Sequence, residues 1–298
     1  MKSSVIGVDI GGTNIRVGRI NDKLELVRKE TALTERFRSA GELFAGIRRM
    51  IDDIDQGREA DIIGMALPVP WRNDAERLVD VTNIPYLENA SIQAIRSYFP
   101  EYDVYFENDV NVIAMLESER GAAHGVEHSM YISVSTGIGS GMIVGNAVFH
   151  GAHGYAGEIG SMFISDSGTL EELCSGKALT DEAIRLFGNE AKAQTLFERY
   201  HERDEQAIDV VELWVERFSR ALASLMHTID PDLFVLGGAV IDNNPWLIDK
   251  VTVNVKTKVF EHLRDKVRIA RPAFGAEAGI IGAGYTAYKQ SRRLRGKT

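Results

Sequence analysis

Two glycine-rich turns, each set between short apolar runs, constrain this 298-residue chain more than any other feature. The first reads Val5-Ile6-Gly7-Val8-Asp9, then Ile10-Gly11-Gly12-Thr13-Asn14, then Ile15-Arg16-Val17. The second reads Tyr131-Ile132-Ser133-Val134-Ser135, then Thr136-Gly137-Ile138-Gly139-Ser140-Gly141, then Met142-Ile143-Val144. Glycine lets backbone approach a ligand closely, and successive N–H groups in such a turn can cradle phosphate oxygens. Either turn alone fits a tight hairpin equally well. A P-loop needs Lys and Ser or Thr after its last glycine, then a helix, and a dinucleotide-binding turn also opens a helix. Here a second strand follows each turn. One phosphate-holding turn in each half suggests two domains holding one nucleotide, as a phosphotransferase requires. Asp9 ends an apolar strand beside the first turn, where a carboxylate can hold Mg2+ through water.

The spacing predicts strands over 4–9, 15–20 and 24–30, then a helix over 39–54 on Leu43, Ile47, Met50, Ile51 and Ile54. A buried strand over 61–67 ends at Pro68. The stretch 68–90 carries three prolines and little periodicity, and so long a loop in a compact domain is usually functional. A helix over 91–98, a strand over 103–107 and a helix from Asp109 to about Ala123 follow. The second half predicts strands over 130–135 and 141–145, helices near 170–187, 190–200, 205–229 and 245–262, strands over 232–236 and 267–270, and a helix over 277–291. A hairpin followed by αβ units, twice over, predicts an α/β protein with two mixed sheets. No low-complexity linker separates the halves. We expect a small N-terminal α/β domain over 1–115, completed by the C-terminal helix 283–298, and a larger one over 116–282.

A net charge of −9 argues against a nucleic-acid partner. The basic stretch from Lys289 to Lys297 reads as a solvated helix end. A single cysteine, Cys174, excludes an intrachain disulfide and a thiolate metal cluster. No apolar run approaches the ~18 residues that span a bilayer, and no signal peptide is evident. A cytoplasmic enzyme without a membrane partner is the expectation.

Asp9-Ile10-Gly11-Gly12-Thr13-Asn14 resembles the first phosphate motif of the actin/hexokinase/heat-shock-ATPase superfamily. Further motifs narrow the resemblance to the ROK family of repressors, open reading frames and sugar kinases. Glu107-Asn108-Asp109-Val110-Asn111 is similar to its E-N-D-x-N catalytic motif, and Thr136 to Gly141 to its second phosphate loop. Gly154-Tyr155-Ala156-Gly157-Glu158-Ile159-Gly160 is similar to its sugar-binding G-x-A-G-E-x-G, and Leu233 to Gly238 to its adenosine turn. The resemblance covers essentially the whole chain. It implies two actin-like ATPase (ribonuclease H-like) domains with mixed sheets flanking a central cleft. It also implies ATP- and Mg2+-dependent phosphorylation of a hexose or hexose derivative, expected at the 6-hydroxyl.

Under that resemblance Asp109 is the general base, placed where a strand gives way to a helix and an ionised carboxylate is favoured. Helix capping is the alternative use of such an aspartate. Asn108 would bind sugar hydroxyls, as would Glu158, Asn83 in Thr82-Asn83-Ile84-Pro85, and Glu171 in Gly168-Thr169-Leu170-Glu171. An ordinary first-turn helix glutamate is the other reading of Glu171. Asp9, Gly11, Gly12, Thr13, Asn14, Thr136, Gly137 and Gly139 would serve the phosphates, and Gly237 with Gly238 the adenosine. Members with a C-x-C-G-x-x-G-C-x-E motif hold zinc with the help of a histidine. Here Ser165 to Glu171 replaces that motif and Ser161 the histidine, so no zinc is expected. His150-x-x-His153 reads as a loop pair, with His153 a candidate sugar contact. Likeness to the allose-kinase branch, as in Leu170 to Leu179, is modest and does not fix the sugar. The family's repressors carry a DNA-binding segment ahead of the first turn, for which eight residues before Asp9 give no room. A sugar-binding sensor without chemistry is a further alternative, and homodimers are common in the family.

Overall fold

The computed structural model describes residues 4–295. Gly296, Lys297 and Thr298, where the basic stretch and the expected C-terminal helix end, lie outside them. The chain forms two compact units. One runs to Leu116, takes in His150–Ala156 and resumes at Phe274, and the other comprises Glu117–Phe149 and Gly157–Ala273.

The first unit is built on β1 (Ser4–Ile10), β2 (Asn14–Ile20), β3 (Leu26–Leu33), β4 (Ala60–Leu67) and β5 (Asp103–Asn108), ordered β3-β2-β1-β4-β5. β1 pairs antiparallel with β2 and parallel with β4, so the sheet is mixed, as expected. Helices α1 (Ala40–Ile54), α2 (Ile92–Arg96) and α3 (Asp109–Arg120) accompany it. Alternation along β1 sends Ile6, Val8 and Ile10 into a core with Leu43, Ile47 and Ile51 of α1. Val5 takes the opposite face, where Ile280 and Ala287 of the C-terminal helix Ala278–Arg295 cover it.

That second face carries a feature absent from the sequence reading. Gly18, Gly7 and Gly64 are register partners on three adjacent strands and form one row across the sheet. The C-terminal helix lies directly on this row. A methyl group built on Gly7 would sit 2.0 Å from the Ile280 carbonyl oxygen, and one on Gly64 2.0 Å from that of Ala283. Mid-strand glycine often marks such close backbone approach.

The second unit repeats this plan. Its sheet contains β6 (Ser129–Val134), β7 (Ile138–Val144), β8 (Ala147–Val148), β11 (Leu233–Gly237) and β12 (Ile269–Ala270), ordered β12-β11-β6-β7-β8. β9 (Phe163–Ser165) and β10 (Gly168–Thr169) form a separate short ribbon. β6 pairs antiparallel with β7 and parallel with β11, the same relations that β1 has with β2 and β4. Helices α4 (Leu170–Cys174), α5 (Gly176–Phe187), α6 (Ala193–His201), α7 (Glu205–Thr228), α8 (Ala239–Asn243) and α9 (Leu247–Lys256) complete the unit, and Ala278–Arg295 is α10.

Several elements differ from their sequence expectation. The helix expected over 170–187 breaks at Ser175, whose hydroxyl caps α5 by accepting the Ala178 N–H at 3.2 Å. The helix expected over 245–262 stops at Lys256, and a 3-10 turn, Glu261–Lys266, follows. The second glycine turn is shorter than its glycines suggest. β7 already begins at Ile138, with Gly139 paired to Ser133 and Gly141 to Tyr131. The expected boundary at 282/283 falls inside α10, because the glycine row of the first unit holds the whole helix.

Candidate active site

The strand-to-helix corner between β5 and α3 has its polar groups arranged in detail. Asn108 Oδ1 accepts the N–H groups of Val110 at 2.9 Å and Asn111 at 3.0 Å, capping α3. Its amide donates to the Val69 carbonyl at 3.0 Å, tying the corner to the long loop. Asp109, the first residue of α3, accepts the Val110 N–H through Oδ1 at 2.9 Å. The cap is therefore carried by the neighbour of the candidate base.

Glu107 is buried behind the corner. Its Oε1 accepts the Asn108 N–H and the Asn111 amide, both at 3.0 Å. His150 Nε2 lies 3.0 Å from Oε1 and 2.9 Å from Oε2. The hydrogen bond to Glu107 raises the His150 pKa above its ordinary 6.5, against the opposing effect of burial. A raised histidine value means that this pair stabilises fully below pH 6.5 and loses its contribution as pH rises through the higher folded-state value. Urea unfolding midpoints at pH 6 and pH 9 should therefore differ more in the wild type than in His150→Gln. Equal differences would contradict the assignment.

At the first turn Gly11 N–H donates to the Asn14 carbonyl at 2.9 Å, and Thr34 fastens the turn from outside. Its N–H donates to the Thr13 carbonyl at 2.9 Å and its hydroxyl to that of Gly11 at 2.6 Å. The N–H groups of Gly12 and Thr13 take no part in these bonds. Asn83 packs over Gly12, its Cβ 3.3 Å from where a side chain on the glycine would begin. Asp9 shares its sheet face with Gly7, pointing at Gly279 in the first turn of α10. Burial raises its pKa, and Arg16, 3.3 Å away, opposes the rise. A largely buried carboxylate beside this turn, its side chain 17% exposed, is suited to a cation. His153 is exposed on the 150–156 segment of the same unit.

In the second unit the N-terminus of α5 takes up the outward carbonyls of the second turn. Gly176 N–H donates to Ser135 at 2.7 Å and Lys177 N–H to Thr136 at 3.1 Å. Glu171 Oε2 accepts the Ile138 N–H at 2.7 Å from the other side. The N–H groups of Thr136 and Gly137 stay outside these bonds, as at the first turn. Glu171 also approaches Gly160, and its charge adds to partial loss of water in raising the pKa of Glu158. Glu158 and the second glycine turn are thus linked through Glu171.

A pocket of about 810 Å3 opens beside this turn, within the second unit. Ser135, Thr136, Lys177, Ala239, Asn243 and Trp246 are among its lining residues. Gly238 turns β11 into α8 at φ +90°, where a side chain would meet the Val134 carbonyl oxygen at 2.5 Å, and this delivers Ala239 to the pocket. Trp246 stacks on Tyr200 with centroids 4.9 Å apart at 13°. Sequence reasoning missed Lys177 and Asn243, which sit on helices, and Trp246 in the turn before α9, none of them in a motif of its own. It also missed the Glu107–His150 pair. The available signal was a lone acid in the apolar strand Val104-Tyr105-Phe106, which demands a buried partner. Among the described residues no cluster of three or more His, Cys, Asp or Glu can hold a metal ion.

Known proteins resemble this chain along almost its full length. A glucokinase of Thermotoga maritima is 23% identical over 305 residues, 95% of this chain and 96% of its own. An N-acetyl-D-glucosamine kinase of Mannheimia succiniciproducens is 26% identical, covering 93% and 97%. The crystal structure of a ROK hexokinase from Thermus thermophilus superposes with a TM-score of 0.86 at 29% identity, covering 97% of this chain and 99% of that one. A xylose repressor of Bacillus subtilis is 25% identical over 74% of this chain, which is 60% of the repressor. The mixed-sheet architecture is that of the actin-like ATPase fold these structures share. With residues 5–290 matching the ROK family as a whole, the chain belongs to that family.

Proposed function

We propose that the protein transfers the γ-phosphoryl group of ATP to a hydroxyl of a hexose or hexose derivative, at the 6-hydroxyl, with Asp109 as general base. The observation carrying this reading is the division of labour at the β5–α3 corner. Asn108 caps the helix and Glu107 braces it, so the Asp109 carboxylate is set at the helix entrance without having to cap it. The kinase names of the relatives support the reaction class.

In this reading Asp109 takes the proton of the attacking hydroxyl as the new O–P bond forms and the bond from γ-phosphorus to ADP breaks. Asn83, Asn108, Glu158, Glu171 and His153 hold the sugar. Asn108 keeps a second amide N–H beyond its bond to Val69, and Glu171 keeps Oε1 beyond its bond to Ile138. The paired N–H groups of the two glycine turns face phosphate oxygens, and the 810 Å3 pocket is of a size to take the nucleoside. Mg2+, when bound, neutralises phosphate charge, and the largely buried Asp9 carboxylate fits it as a partner through water.

The similarity to a repressor supports a second reading, a sugar-binding sensor of the same fold without turnover. Coupled ADP release across hexoses, aminosugars and N-acylated aminosugars separates the two. The kinase reading expects ADP and sugar phosphate in equal amounts with at least one sugar. Calorimetric sugar binding with no ADP from any of them would favour the sensor.

A further inference from the structure

We propose that His150 is a positioning residue: through Glu107 it fixes the β5–α3 corner and so the direction of the Asp109 carboxylate. The inference rests on Asp109 being the base.

Glu107 is the hub of the corner, its side chain only 3% exposed. Oε1 accepts the Asn108 N–H, the Asn111 amide and His150, while the one bond shown for Oε2 is to His150. His150 is the single partner in this set from outside residues 107–111. A buried carboxylate deprived of its donor must rotate or take up a proton, because an unpaired buried charge is costly. Either change frees the Asn111 amide. Asn111 Oδ1 is buried without a hydrogen-bond partner, so that amide is held from one side alone, by Glu107. Loss of His150 therefore loosens the first turn of α3, where Asp109 sits.

The segment bearing His150 is fastened independently. The Tyr155 hydroxyl bonds to Asp80, and Gly154 lies so close to Trp71 that a side chain would meet its carbonyl oxygen at 2.8 Å. These contacts separate two roles. If His150 only staples the segment, Tyr155→Phe should resemble His150→Ala. If His150 works through Glu107, only the histidine variant should act on the corner.

The experiment measures steady-state kinetics and amide hydrogen exchange at residues 107–111 in wild type, His150→Ala, His150→Gln and Tyr155→Phe. A misplacement of an ångström at a reacting group costs about 10²-fold, so kcat in His150→Ala should fall by about that factor with KM changed less than about threefold. His150→Gln, which keeps an N–H donor, should recover most of kcat, and Tyr155→Phe should match wild type. Exchange at Asn108, Val110 and Asn111 should quicken about tenfold in His150→Ala alone, as expected for a loosened helix start. An active wild type with kcat unchanged in His150→Ala, or equal losses in Tyr155→Phe, would overturn the proposal. A wild type inactive on every sugar would instead overturn the kinase reading. Exchange then decides the positioning claim, and unchanged protection in His150→Ala would refute it.

Discussion

Asp109→Asn is expected to lower kcat by about 10³-fold while leaving KM for sugar and ATP within about threefold. Asparagine preserves the size of the side chain and an oxygen able to accept the Val110 N–H, so the start of α3 is retained. The cap itself comes from Asn108 and is untouched. What is lost is the capacity to take a proton from the attacking hydroxyl. A loss confined to kcat identifies a group needed in the transition state rather than for binding. Residual kcat above about a tenth of wild type would remove Asp109 from the role of base, because general-base catalysis is worth at least ~10²-fold.

The second large effect concerns stability. Gly64→Ala should destabilise the protein by about 3 kcal/mol, at the upper end of the usual cost of overpacking. The added methyl group would stand 2.0 Å from the Ala283 carbonyl oxygen and 2.9 Å from the Ala287 methyl group. Backbone in the middle of a helix cannot yield as a side-chain tip can, so α10 must lift from the sheet. Gly7→Ala should behave alike, against the Ile280 carbonyl oxygen. Lifting α10 also draws Gly279 from Asp9, so whatever stability remains should come with weaker nucleotide binding. Gly275→Ala, with nothing within 4 Å, is the control and should fall within about 0.5 kcal/mol of wild type. Urea unfolding with an unchanged m-value would report these differences as stability. A loss under about 1 kcal/mol in both seam variants would refute the close-packed glycine row.

Features whose chemistry is local in sequence were legible before the structure. The two strand–turn–strand runs, the long loop after Pro68 and the acid-rich corner at residues 107–111 each declare themselves within a short continuous stretch. The repeat of sheet order between the units was only hinted at, because beyond the two glycine-turn hairpins its equivalent strands share topology and no residue pattern. Features made by distant residues were not legible. Glu107 and His150 are 43 residues apart, and the glycine row of β1, β2 and β4 finds its helix more than 200 residues later.

Two errors have local causes. Gly139 suggested loop, yet it is a strand residue, in a strand whose Ile138 and Ser140 backbone lies against Gly160 and Gly157. Ser140 donates to the Gly157 carbonyl at 2.6 Å, and a side chain on Gly160 would meet the Ile138 carbonyl oxygen at 2.5 Å. Beyond Lys256 the helix expected over 245–262 does not continue. Val259 is buried in a non-helical stretch, while Phe260 is 75% exposed.

The central claim is that the Asp109 carboxylate receives a proton from a sugar hydroxyl aimed at the γ-phosphorus. A crystal structure with sugar and a non-hydrolysable ATP analogue tests it most directly. The account predicts a carboxylate oxygen of Asp109 within about 3.2 Å of one sugar hydroxyl, on the side opposite the bond to be broken. A sugar bound with every hydroxyl beyond hydrogen-bonding reach of Asp109, or with its nearest hydroxyl turned from the γ-phosphorus, would contradict it.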